Sequence, residues 1–206
     1  MTAGMGITQT DYREFSRNID FGDYFNRHSD AAVPDIIRDF HNEFSGAYIN
    51  KYAEFFEIPS KAHTFAIVQV SRGHRKTNLS DAREYPSAYE VAGGKTVCLP
   101  YLAALIRLAD ELDIAADRNL QFIYDVDRID NERSRMEFLK HQAITQLIVR
   151  EDLFVMEVAT QDEKVWAGVL DLKNKLNHTL RECREVVAQR TAFEISQQQV
   201  IIHRVP

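Results

Sequence analysis

Hydrophobic positions in the first half of the chain recur at helical spacing. Between Pro34 and Phe44, apolar residues lie one, three or four positions apart, which places them on one side of a helix that starts at Pro34. Ser45 is a suitable N-cap for a second helix that ends before Pro59. A third helix is expected to end near Gly73. The four predicted helices are, in chain order, VPDIIRDFHNEF, SGAYINKYAEFFEIP, AHTFAIVQVSRGHR and LPYLAALIRLADELDI.

Two segments lack this periodicity. Residues 1–31 are rich in Gly, Asp, Asn and Ser with scattered aromatic residues, and we expect a loop with short helical turns that packs on a larger body. Residues 76–98 contain Pro86 and Gly93-Gly94 and are predicted to form a long loop. Loops of that length in a compact domain are usually functional or mobile.

The pattern changes after Arg118. A helical stretch, ERSRMEFLKHQAI, is followed by the alternating segments TQLIVRE and LFVMEVAT, which predict a β-hairpin with its turn near Glu151-Asp152. A long amphipathic helix and a last strand, QQQVIIHRV, complete the chain. The predicted fold class is therefore mainly α: a helical bundle over residues 1–118 and a small β-β-α-β unit over residues 119–206, packed on it.

The fourth helix carries carboxylates beside its apolar side chains. On a helical wheel the predicted core stripe consists of Leu102, Leu105, Leu108, Ala109 and Leu112. Asp110 falls at the edge of this stripe and Asp113 inside its arc, and a carboxylate next to a core needs a partner. Arg107 or Arg118 could supply a salt bridge or a cap. Alternatively, the carboxylate is a ligand for a metal or for a cationic histidine.

Charge and composition exclude several classes of function. The net charge of −6 argues against a general nucleic-acid-binding protein. No apolar run approaches the roughly 18 residues needed to cross a bilayer, and the first residues do not form a signal peptide. The two cysteines, Cys98 and Cys183, show no CxxC spacing, which favours structural thiols and a cytoplasmic location.

Two histidines lie close to clustered cations. His41 follows Arg38 by one turn, and His74 lies in SRGHRK, where its neighbours are Arg72, Arg75 and Lys76. Imidazole together with carboxylate suits Mn, Fe, Ni or Zn, and adjacent arginines suit a phosphate. Taken singly, such a histidine is more often a surface or core residue whose hydrogen bonds are satisfied than a ligand.

Three motifs together resemble the later half of an HD-superfamily domain. They are R-x-x-H-x-x-x-S-x-x-Y-I from Arg38 to Ile49, RGH at 72–74, and LAALIRLADELDI. The similarity covers about residues 1–118 and is nearest to the branch joined to Hsp90-like ATPase modules in nucleotide-based conflict systems. It implies a helical domain that binds a divalent metal (Mn, Fe, Ni, Zn or Mg) and hydrolyses nucleotide phosphate esters. It also implies that Asp110 is the last metal ligand and that His41 and His74 bind a second metal or a phosphate.

The chain departs from this family pattern at the His-Asp doublet. The branch has His-Asp-x-Gly-Met, whereas the matching residues here are Met1-Thr2-Ala3-Gly4-Met5, and no His-Asp pair occurs anywhere in the chain. Thioether and hydroxyl groups are poor ligands for such a metal. We therefore expect a truncated and inactive form with no catalytic residue, in which a complete metal site needs a doublet from another subunit.

Three hypotheses for function follow. The first is an HD-type phosphohydrolase for a nucleotide or related phosphate ester, in which Arg38, Arg72, Arg75 and Lys76 bind the phosphate and the 76–98 loop closes over the substrate. The second is a degenerate HD-like module that binds a nucleotide or a protein and regulates without catalysis. The third is a scaffold whose basic clusters only solvate helix ends. We also expect a homo-oligomer, or a partner domain that covers the N-terminal side.

Overall fold

The computed structural model describes residues 9–29, 33–114 and 132–205. The chain forms two compact units, Met1–Ile106 and Arg107–Pro206. The division falls inside a helix of the LAALIRLADEL segment. The predicted boundary between residues 118 and 119 lies outside the described residues.

Helices predominate in the first unit, and a small sheet characterises the second. The first unit and the helix at its end contain α1 Gln9–Ser16, α2 Tyr24–Arg27, α3 Val33–Lys51, α4 Lys61–Arg72, β1 Tyr89–Glu90, β2 Thr96–Val97 and α5 Leu99–Leu112. The second unit contains α6 Glu132–Ala143, β3 Ile144–Val149, β4 Leu153–Val158, α7 Glu163–Arg190 and β5 Gln199–Arg204. The predicted fold class, mainly α with a β-β-α-β unit, is confirmed.

Helix α3 replaces the two helices that the sequence predicted between residues 33 and 59. The helix is kinked at Phe40, where φ is −118° and ψ is 17°. Ser45 does not cap a new helix: its hydroxyl donates to the carbonyl of His41, one turn earlier, over 2.7 Å. The prediction of a break at Ser45 is therefore wrong, because its hydroxyl is satisfied within a continuous helix.

The N-terminal segment packs on the kinked part of α3. Phe15 is buried with its ring edge towards Tyr48, and the rings of Phe21 and Tyr24 lie 4.8 and 5.0 Å from the ring of Phe40. These aromatic contacts confirm, for residues 9–29, the prediction of short helical turns on a larger body.

Helices α3 and α4 form an antiparallel hairpin in which side chains of α4 pack closely on α3. Ser60 caps α4 by accepting a hydrogen bond from the amide of His63. A Cβ atom on Gly46 of α3 would lie only 3.1 Å from Cγ of Arg72 on α4. Glycine at this position therefore allows the two helices to approach each other closely.

Helix α5 buries a different face from the one predicted. Leu99, Ala103 and Ala104 are fully buried and Leu108 nearly so, whereas Leu102 and Leu105 are each 39% exposed. The predicted stripe is therefore wrong except for Leu108 and, in part, the half-buried Leu112. The helix buries small alanines because they allow it to approach the end of α4 closely.

The segment between α4 and α5 is anchored by its own side chains. Tyr85 is fully buried, its hydroxyl donates to Thr77 Oγ1 over 2.9 Å, and Leu79 is buried nearby in the sequence. Strands β1 and β2 pair antiparallel, and Gly93 and Gly94 form the turn at positive φ, a conformation that glycine adopts without strain.

The second unit is a three-stranded sheet with a long helix. In the order β3-β4-β5, β4 is antiparallel to β3 and parallel to β5, and the tight turn lies at 150–152 as predicted. Helix α7 is the predicted long amphipathic helix, and the apolar side chains that it buries include Val169, Leu180 and Cys183. Burial raises the pKa of the Cys183 thiol to about 11, as suits a structural cysteine.

None of the described helices combines the length with the apolar character that crossing a membrane requires.

Candidate histidine-pair site

His41 and His74 come together although they are far apart in the sequence. His41 lies on α3 just after the kink, and His74 follows the C-terminus of α4. Their ring centroids are 4.7 Å apart at an angle of 47°, and both side chains are half-buried. The α3–α4 hairpin thus brings two of the predicted site residues into contact.

Each histidine ring is oriented by its own helix. His41 Nδ1 lies 2.7 Å from the carbonyl oxygen of Arg38, and His74 Nδ1 hydrogen-bonds to the carbonyl oxygen of Ser71. A carbonyl oxygen can only accept, so Nδ1 carries the proton in both rings. In the neutral imidazole the lone pair is then on Nε2, which is the arrangement of many metal-binding histidines.

Asn42 fixes the register of the two helices next to the histidine pair. Its side chain is only 3% exposed, and its amide nitrogen donates to the carbonyl of Arg75 and to Glu43 Oε1, each over 3.1 Å. The residues that precede Asn42 and Arg75 are His41 and His74. The cross-link therefore holds the backbone segments that carry the two imidazoles.

Gly73, between Arg72 and His74, allows close packing on α5. A Cβ atom at this position would lie 2.5 Å from the Cβ of Ala103. The φ of Gly73 is −61°, an ordinary helical value, so the position requires glycine for space and not for backbone conformation. The RGH motif thus combines a histidine of the pair with a packing glycine.

Arg72 forms a bidentate pair with a carboxylate of α3. Its Nε and Nη2 atoms lie 2.8 and 3.1 Å from the two oxygens of Glu43, and Nη1 donates to Gln69. Burial alone would lower the pKa of the guanidinium, but hydrogen bonds and the charge of Glu43 raise it overall. Arg72, predicted to bind phosphate, is thus charge-neutralised within the α3–α4 hairpin.

Lys76 is also paired with a carboxylate. Its Nζ lies 2.8 Å from Asp39 Oδ1, and the hydroxyl of Tyr24 donates to the other oxygen of Asp39 over 2.9 Å. The Lys76 hydrogen bond lowers the pKa of Asp39 below 3.8, against the effect of burial. Burial and the nearby Asp39 raise the pKa of Tyr24.

The other two predicted phosphate ligands are less constrained. Arg38 is exposed and forms a long ion pair of 3.6 Å with Asp35. Arg75 is half-buried, and its charge contributes to lowering the pKa of Asp39. Across residues 9–29, 33–114 and 132–205, Arg75 makes no ion pair within 4.0 Å. It is the cation that follows His74 directly.

Asp110, the third predicted metal ligand, is exposed and belongs to the second unit. Asp113 is also exposed, and Arg118, a predicted partner for either acid, lies outside the described residues. Among the residues that the structure describes, no group of three or more His, Cys, Asp or Glu side chains could hold a metal ion. Two imidazoles suit a borderline dication but are fewer than the usual three or four protein ligands.

An apolar cleft next to His74 was not predicted from the sequence. It has a volume of about 480 Å³ and lies between α4, α5 and the β1–β2 hairpin. His63, Ser71 and His74 line it together with aliphatic side chains. In the sequence, the apolar residues Leu102 and Ile106, one helical turn apart, could have indicated this cleft. The helical wheel assigned Leu102 to the core, whereas the structure exposes both side chains.

The comparison with family models confirms the resemblance to an HD-like domain. The model of the HD-CE family matches residues 2–182, so the chain belongs to the HD-CE family. No curated protein and no solved structure matches the chain.

Proposed function

We propose that this chain is an HD-type, metal-dependent phosphohydrolase domain that acts on a nucleotide or related phosphate ester at the histidine-pair site. The observation that carries the proposal is the contact of His41 with His74, each ring having its Nδ1 at a backbone carbonyl oxygen of its own helix. Membership of the HD-CE family supports the same class.

In this proposal the Nε2 atoms of His41 and His74 are ligands for a divalent metal (Mn, Fe, Ni, Zn or Mg) or, when protonated, donors to phosphate oxygens. The assignment of Asp110 as a metal ligand stays a prediction from the HD resemblance. Such a metal, when bound, lowers the pKa of a coordinated water and polarises phosphoryl oxygens. The 206 residues contain no His-Asp pair, so hydrolysis requires that doublet from elsewhere.

The chain's own cations have different roles in the proposed site. Arg75 and Arg38 bind the phosphate, because the guanidinium fork suits its oxygens. Arg72 and Lys76 act indirectly: through Glu43 and Asp39 they hold the helices that carry the histidines.

Metal titration of the purified chain with Zn²⁺, followed by calorimetry, tests this proposal. We expect one ion per chain, and replacement of either His41 or His74 by Ala should weaken binding roughly tenfold or more. His178→Ala, which changes an exposed histidine on α7, is the matched control. Equal Zn²⁺ affinity in the His41→Ala and wild-type proteins would refute the metal role.

A second candidate is a regulatory module that binds a nucleotide without catalysis. The ion pairs of Arg72 with Glu43 and of Lys76 with Asp39 favour such a module. Cations that are already neutralised by carboxylates stabilise the negative charge of a phosphoryl-transfer transition state less well. Binding of AMP in the presence of EDTA separates the two candidates. Affinity that persists without metal supports the module, and affinity that requires added metal supports the phosphohydrolase.

A further inference from the structure

The apolar cleft has one helix face as its floor. Positions 63, 66, 67, 70, 71 and 74 are alternately three positions and one position apart, so they lie along one side of α4 and the turn that follows it. The side walls are Val91 and Val97 of the hairpin segment and Leu102 and Ile106 of α5.

Imidazoles mark both ends of this floor. His63 and His74 are eleven positions apart, or about 16 Å along a helix axis. His63 Nδ1 is 2.9 Å from the hydroxyl of its cap, Ser60, whereas His74 also contacts His41. Between the two ends the lining is almost entirely aliphatic. The two histidines of the cleft therefore lie at its ends, and one of these ends is the histidine pair.

The hairpin wall is held in place independently of any ligand. The ring of Tyr89 on β1 lies 5.0 Å from the ring of Phe65 on α4, at an angle of 32°. Val91 is buried, and its amide donates to the carbonyl of Lys95 across the glycine turn. A preformed apolar cleft of this size, with a few polar groups, is typical of small-molecule sites.

We propose that this cleft binds the aryl part of a phosphate ester whose phosphate lies at His74 and His41, and so selects a substrate with a flat, apolar ring. The position of the phosphate rests on the proposed function. A phosphate cannot enter the aliphatic part, because no group there compensates its lost hydration. A ring can, because it binds through its faces and needs few hydrogen bonds.

The test compares three probes by calorimetry: 1-naphthyl phosphate, 1-naphthol and inorganic phosphate. The wild-type chain should bind 1-naphthyl phosphate roughly tenfold or more tightly than inorganic phosphate, since the ring adds buried apolar area. Ile67→Glu places a carboxylate in the cleft. It should weaken 1-naphthyl phosphate and 1-naphthol roughly tenfold and leave inorganic phosphate unchanged.

Ile67→Glu and Ile201→Glu change partly exposed positions, so both variant proteins are expected to fold. Ile67 is 44% exposed, so a glutamate there can reach solvent in the free protein. Ile201→Glu, at a 37% exposed position on β5, is the matched control and should change none of the three affinities.

Different results would refute the inference about the cleft and the proposed function. One outcome is that 1-naphthol binds, Ile67→Glu abolishes its binding, and His74→Ala leaves the binding of inorganic phosphate unaffected. This outcome supports binding of the ring in the cleft and refutes phosphate binding at His74. If His74→Ala abolishes phosphate binding but the naphthyl ring adds no affinity, the inference about the cleft is overturned. It is overturned also if Ile67→Glu converts an oligomer to a monomer in sedimentation while the probes do not bind, because the cleft is then a contact between copies.

Discussion

The side chain of Asn42 on α3 donates a hydrogen bond of 3.1 Å to the backbone carbonyl of Arg75, which follows α4. The residues immediately before these two, His41 and His74, are the pair whose rings lie 4.7 Å apart. A buried amide thus controls the alignment of two helices at the position where their imidazoles meet.

Replacement of Asn42 by Ala should destabilise the fold and separate the histidines. The change leaves the Arg75 carbonyl without its donor, so unfolding in urea should become easier by about 1 to 3 kcal/mol. Zn²⁺ affinity should fall as well. Asn50→Ala, at an exposed position in the last turn of α3, is the control and should leave both quantities near wild type. Unchanged stability in Asn42→Ala would show that the cross-link has no structural role.

Gly73→Ala should destabilise the fold because the added methyl group has no room, and not because of the backbone conformation. The new methyl group would lie 2.5 Å from Ala103 Cβ, and such overpacking costs about 1 to 3 kcal/mol in the free energy of unfolding. Ala103→Gly by itself should cost about 1 kcal/mol through helix propensity. The double variant should recover part of the loss, because the methyl group then has room. Strictly additive losses would contradict a direct contact between these two positions.

Arg72→Gln and Arg75→Gln should affect different properties of the protein. Arg72→Gln breaks the bidentate pair with Glu43 and should lower stability by about 1 to 3 kcal/mol. Arg75→Gln should leave stability near wild type but weaken binding of inorganic phosphate by roughly tenfold. Urea denaturation and phosphate calorimetry on both variants provide the comparison. The assignment of Arg75 to phosphate fails if Arg75→Gln binds phosphate as tightly as wild type.

Asp39 should contribute to stability in acid in a way that depends on Lys76. Its folded-state pKa is lowered below 3.8, so its contribution is present above the unfolded value and is lost as pH falls through the folded pKa. In Lys76→Met the largest cause of the lowering is gone and burial acts in the opposite direction. The variant should therefore lose stability at neutral pH and show a weaker decline on acidification.

Urea denaturation at intervals between about pH 6 and about pH 3 measures this dependence. Lys95→Met, at an exposed position in the hairpin turn, is the control for the loss of one positive charge. If Lys76→Met and Lys95→Met give the same pH profile, the ion pair with Asp39 does not govern acid stability.

Periodicity predicted most of the elements. The alternation in TQLIVRE and LFVMEVAT and the stripe along α7 correctly gave the β-β-α-β unit, because one face of each element is buried. Periodicity predicted two helices in place of α3, because the same spacing of apolar residues fits one kinked helix or two shorter helices. Ser45 can cap a helix or bond within one, and the sequence does not distinguish these possibilities.

The candidate site was predictable only in part. The motifs indicated His41 and His74, but their contact depends on the Asn42 cross-link, and a buried asparagine gives no signal in a hydrophobic pattern. The wheel for α5 selected leucines as core, whereas alanines pack against Gly73. Apolar content alone does not reveal which face a neighbouring backbone can approach. The assignment of Asp110 stays a prediction from the HD resemblance.

The most direct test of the central claim is long-range proton–nitrogen NMR of the imidazole rings, with and without Zn²⁺. Without metal, His41 and His74 should both show a protonated Nδ1 and a deprotonated Nε2. On addition of Zn²⁺ the two Nε2 resonances should shift together, while those of His178 stay in place. A proton on Nε2 in either ring, or a Zn²⁺ response that leaves both rings unchanged, would contradict the account.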